Sequence, residues 1–87
     1  MTDNNVKERI RWACRRGMLE LDLFLVPFFE LCFEKLNFKE KQDFIDLLHE
    51  NDPEILSWLM AETPPKEHLI LIVEKIRSVR LRENTTF

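Results

Sequence analysis

A single glycine, Gly17, and four prolines are all the strong backbone punctuation in a chain of 87 residues. Hairpin-rich sheets need residues that tolerate reversal at every turn, whereas helices joined by short connections need few. The chain therefore reads as all-α. Its length allows one domain, residues 1–87, because a chain this short buries only about 60% of the surface its unfolded form exposes. A composition that is 45% hydrophobic and 33% charged supplies both a core and a solvated exterior. A formal net charge of -3 argues against a protein whose main task is coating nucleic acid. No apolar stretch approaches the roughly 20 residues that cross a bilayer, so no direct membrane insertion is expected.

Hydrophobic periodicity divides the chain into a compact bundle of about five helices. From Asn4 to Arg16, the residues Val6, Ile10, Ala13 and Gly17 recur at helical spacing, with Asn5 and Glu8 as a capping box. Gly17 ends this segment and suits the positive φ of a helix C-terminus. The second segment, Leu19 to Leu36, sets Leu21, Phe24, Leu25, Phe28, Leu31 and Cys32 on one face, with Leu23, Val26, Phe29 and Phe33 around the sides. Pro27 predicts a kink or a break within it. Asn37 and Glu40 cap a third helix carrying Phe44, Ile45, Leu47 and Leu48, which ends near His49 to Asn51. Asp52 as N-cap with Pro53 at the first helical position opens a fourth, bearing Ile55, Leu56, Leu59 and Met60. After a turn at Thr63-Pro64-Pro65, Leu69, Ile72, Val73, Ile76 and Val79 define a fifth helix to about Leu81, followed by a frayed tail over residues 82–87.

A catalytic constellation of nucleophile and base, paired carboxylates or clustered metal ligands is not legible. His49 and His68 have no Cys or second His at i+3 or i+4, and read as surface or helix-end histidines. Cys14 and Cys32 form no CxxC pair and fall near apolar faces, where each reads as a small buried hydrophobe in a reducing compartment. The N-terminal residues through Lys7 include Asp3 and fit neither a secretory signal nor an Arg-rich transit peptide. A non-enzymatic, metal-free, cytoplasmic protein is expected.

The informative stretch is Arg9 to Asp22, RIRWACRRGMLELD. The helical period places Arg9, Trp12 and Arg16 on a face away from Ile10 and Ala13. An exposed Trp flanked by arginines suits an interface anchor, and a Trp laid over the second helix as a satellite of the core suits the same spacing. Arg16 and Glu20 either pair with each other, for about 0 to 1 kcal/mol, or stay available to a partner that the planar guanidinium can fork onto. Arg9, Arg11, Arg15 and Arg16 also resemble a phosphate-contacting helix, but Glu8, Glu20 and Asp22 flank them with the wrong sign and no base-reading Asn, Gln or Ser shares the face.

The run from Trp12 to Asp22 resembles the signature of the small succinate dehydrogenase assembly factors called flavinators, whose hallmark is Arg-Gly-x-x-Glu, here Arg16, Gly17 and Glu20. The likeness continues through Pro27-Phe28-Phe29-Glu30 and Asp52-Pro53 to Ser57-Trp58-Leu59-Met60, and thins after Pro65. It implies a five-helix bundle that binds the flavoprotein subunit of succinate dehydrogenase, and in bacteria that of fumarate reductase, while FAD is covalently attached to a histidine of that client. The factor then needs no cofactor of its own. The motif implies Arg16 and Glu20 as polar contacts to the client and Gly17 as a point of close approach or sharp turning, with Arg9, Trp12 and Asp22 added as neighbours by placement. The mitochondrial relatives' presequence has no counterpart here, which points to a bacterial cytoplasmic member, expected as a monomer. An antitoxin-like module or a generic helical adaptor is the alternative. No functional residue is assigned after Pro65.

Overall fold

Side-chain caps set the starts of two of the helices. The structure, a computed structural model that describes residues 2–84, contains α1 (Thr2–Ala13), α2 (Leu19–Cys32), α3 (Phe38–Leu48), α4 (Asp52–Leu59) and α5 (Ile70–Asn84), with 3-10 turns at Phe33–Lys35 and Glu67–Leu69. The predicted all-α bundle is therefore what the chain forms. At the start of α3 the capping box is complete: the Asn37 side chain accepts from the Glu40 amide at 2.8 Å, and the Glu40 carboxylate accepts from the Asn37 amide at 3.0 Å. At α4 the expectation needs correcting. Asn51, rather than Asp52, is the N-cap and accepts from the Glu54 amide at 3.2 Å. Asn and Asp cap almost equally well, so two adjacent candidates compete. The choice of Asn51 leaves the Asp52 carboxylate to another donor. The far end of α4 closes through Ala61 at φ 61°, with the Ala61 and Glu62 amides donating back to the carbonyls of Trp58 and Ser57.

Burial redraws two of the expected faces. α1 ends at Ala13, and Asn5 lies inside it, where it cannot cap. Its buried pair is Ile10 and Cys14, one turn apart, whereas Val6 and Ala13 are exposed. Lys7 and Arg11 reach from α1 to Glu34 and Glu30, and the Arg11 guanidinium lies 5.1 Å from the Phe29 ring centroid. In α2, Leu21, Leu25, Phe28 and Phe29 are buried while Leu31, expected in the core, is 53% exposed. The helix passes unbroken through Pro27, so the proline does not divide it. The carbonyl that loses a partner there belongs to Leu23, on a solvent-facing part of the helix, where water can hydrate it. α2 gives way to the 3-10 turn after Cys32, short of Leu36.

The centre is aromatic. Phe44 of α3 meets Phe28 of α2 at 5.4 Å between centroids and Phe33 at 5.9 Å, in the tilted geometry that ring quadrupoles favour. Leu69, Ile72, Val73, Ile76 and Val79 bury the predicted stripe of α5 against α2, α3 and α4. From α4 come Ile55, Trp58 and Leu59, while Met60 is turned out to solvent. α5 continues to Asn84; the last residues of the expected tail, 85–87, lie outside the described residues.

Cys14 sits in this core, with its thiol pushed from an ordinary value of 9.0 up to about 12, first by desolvation, which the nearby Arg16 charge partly opposes. Because the folded form holds the proton to higher pH than the unfolded form, the resulting stability is present below pH ~9 and is lost as pH rises from there toward the folded value. Alkaline urea titrations are expected to show a fall in stability over that window that Cys14→Ala removes. Thiol labelling of the native protein should reach the half-buried Cys32 well before Cys14.

Candidate functional site

Between α1 and α2 the chain has five residues in which to reverse, and specific bonds from Arg16 fasten them. Residues Cys14 to Met18 make this connection. Arg16 donates from Nε to Asp52 Oδ1 at 2.8 Å, from one terminal nitrogen to the Ala13 carbonyl at 2.7 Å, and from the other to the Glu50 carbonyl at 3.2 Å. Its side chain is only 15% exposed. The Arg16 amide in turn donates to Asp22 Oδ1 at 2.8 Å, fastening the connection to the first turn of α2. A planar fork whose donors sit on three separate nitrogens is suited to closing two loops at once.

Gly17 follows at φ +81°, a conformation that L side chains rarely adopt. Nothing lies within 4 Å of where its Cβ would stand, so a larger residue meets no neighbour inside the protein. The requirement for glycine within the fold is conformational. Glu20 comes in the next turn, exposed at the N-terminal end of α2, where the helix dipole favours a carboxylate.

The structure thus separates the sequence-predicted residues into two sets. Arg16 and Asp22 face inward and hold the connection. Of the two alternatives for Arg16 and Glu20, the mutual pair does not form: Arg16 takes Asp52 instead, and Glu20 is left exposed. Gly17, Glu20, Arg9 and Trp12 are exposed, and Trp12, at 69%, is not a satellite of the core. Arg9 and Trp12 share a face of α1 as expected, but Arg16 does not join them, because the helix has ended at Ala13 and the side chain bends back. Asp52 is the residue that sequence reading assigned to another task. Its signal was present in Asn51, an equally good cap that makes Asp52 redundant in that role. Exposed Leu19, Leu23 and Met60 add apolar area beside Glu20.

Among the described residues no group of three His, Cys, Asp or Glu side chains is placed to hold a metal ion, and no helix is long and apolar enough to cross a membrane. What the fold defines is a small helical domain that displays a glycine, a carboxylate and an aromatic ring around a fastened connection. A family model described as "Flavinator of succinate dehydrogenase" matches residues 8–80, and the chain belongs to that family. Relatives include a Vibrio vulnificus protein named "FAD assembly factor SdhE", 61% identical over 55 residues, 63% of this chain and 64% of the relative. Proteins of the same name from Photobacterium profundum and Yersinia pseudotuberculosis are 47% and 48% identical. These matches cover 70% and 83% of this chain and 69% and 83% of those relatives. The matched stretch thus spans a little less than two thirds of the Vibrio relative's length.

The Arg16 tie has a measurable consequence. Arg16→Ala and Asp52→Ala are each expected to lower unfolding stability by about 1 to 3 kcal/mol, the range for a charged hydrogen bond lost from a partly buried site. In urea denaturation the double variant should be less destabilised than the sum of the singles, whereas simple additivity would show that the pair is uncoupled.

Proposed function

We propose that this protein is an assembly factor that binds the flavoprotein subunit of succinate dehydrogenase and promotes covalent attachment of FAD to it, with the fumarate reductase flavoprotein as a second client. The observation that carries the reading is the exposure of Gly17, on a connection fastened from behind by Arg16, together with Glu20 in the first turn of α2, in a chain of the flavinator family. Glu20 offers a carboxylate to donors on the client, and Gly17 allows the client backbone to come close. Trp12 supplies a large flat anchor, and Arg9 beside it a cation. Arg16 and Asp22 act one layer behind, as positioning residues.

The factor works as a monomer in the bacterial cytoplasm, without a cofactor of its own. Its contribution is geometric: by holding the client's domains where flavin and histidine meet, it supplies the proximity that can be worth several kcal/mol without any added acid or base. The reacting groups belong to the cofactor and the client.

The test is covalent flavin on the succinate dehydrogenase flavoprotein, read by in-gel fluorescence in cells deleted for this protein and complemented. Wild type is expected to restore the signal, and Gly17→Arg and Glu20→Ala to leave it at or near the deletion level while remaining folded by circular dichroism. Unchanged fluorescence on deletion would sink the reading.

A further inference from the structure

Glu20 stands at one rim of a shallow groove between α2, α4 and α5. Phe24 lines it, Leu23 and Met60 edge it, and Arg77 and Arg80 line it from α5. The Arg80 guanidinium lies 5.7 Å from the Phe24 ring centroid. None of the ion pairs among the described residues uses Glu20, Arg77 or Arg80. A carboxylate and two guanidinium groups thus border one apolar depression without neutralising one another. Most other cations of the fold, such as Lys7, Arg11, Lys66 and Lys75, are engaged with carboxylates.

We infer that this groove is a continuation of the client-docking surface, in which Arg77 and Arg80 receive a carboxylate of the flavoprotein while a neighbouring apolar side chain of the same segment lies between Leu23, Phe24 and Met60. The inference rests on the reading that the protein docks onto that flavoprotein. Two features select this occupant. Glu20 borders both the groove and the motif surface, so a client that reaches Glu20 is already at the groove's edge. The charges are complementary to a segment that is acidic next to an apolar residue, and arginine's fork suits a carboxylate better than a point charge does. α5, which carries no part of the sequence signature, thereby becomes a specificity element.

The experiment measures the affinity of the purified succinate dehydrogenase flavoprotein for wild type, Arg77→Glu, Arg77→Gln and Lys35→Glu by calorimetry at low and high salt. Lys35 is exposed on the 3-10 turn after α2 and serves as the same charge change away from the groove. Arg77→Glu is expected to weaken binding about tenfold or more, and Arg77→Gln less, with a difference that shrinks at high salt as exposed charges are screened. Lys35→Glu should bind within about twofold of wild type, a difference worth under 0.5 kcal/mol. Thermal unfolding of each variant keeps a folding defect from passing as a binding defect. If wild type binds and Arg77→Glu binds equally well, or if Lys35→Glu is weakened as much, the groove assignment is overturned while the docking reading stands. If wild type itself does not bind, the docking reading fails. Loss of self-association on sedimentation with client affinity intact assigns the groove to a second copy of this chain and also overturns the inference.

Discussion

The guanidinium of Arg16 is the contact on which the connection between α1 and α2 depends. It reaches Asp52, the Glu50 carbonyl and the Ala13 carbonyl together, joining the connection between α1 and α2 to the one between α3 and α4. Without it, five residues containing the chain's only glycine would have few means of holding one conformation. Partial burial makes the bonds to Asp52 and the Glu50 carbonyl stronger than they would be in open water, and makes leaving one unmade costly. The surrounding helices supply rigidity from the other side: Cys14, at the start of the connection, is packed in the core, and Leu21, just after it, is fully buried.

This arrangement bears on the proposed docking surface. Gly17 is left-handed and unobstructed, Glu20 is exposed in the first turn of α2, and both are referenced to the core through Asp22 and Arg16. A docking surface that is already ordered loses little conformational freedom on binding, so more of its contact energy survives as affinity. The same property suits a partner whose task is to hold another protein's groups in place. Elsewhere on the surface, Lys7 pairs with Glu34, Arg11 with Glu30 and Lys75 with Glu40.

How much of this was legible in the sequence varied with the range of the interaction. Capping at Asn37 and the apolar stripe of α5 were readable because both are decided within a few residues. The end of α1, the exposure of Leu31 and the continuity of α2 through Pro27 were not, because each depends on which neighbour packs where. α2 is apolar nearly all round, so periodicity could not say which of its leucines would meet solvent. Asp52 illustrates the same limit. A cap and an ion-pair partner look alike in sequence, and only the distant Arg16 decides between them. The motif residues were found by family resemblance, and the structure separates those that face solvent from those that hold the connection.

In the proposed function, Arg16 serves the docking surface by holding it through Asp52, which is itself outside the Arg-Gly-x-x-Glu motif. The most direct test is the affinity of the proposed flavoprotein client for Arg16→Ala, Asp52→Ala and the double variant, measured under conditions in which all three are folded. The account predicts that the two single variants lose similar affinity and that the double variant loses little more than either. Wild-type affinity in Asp52→Ala, with binding lost in Arg16→Ala, would contradict it and make Arg16 a direct contact instead.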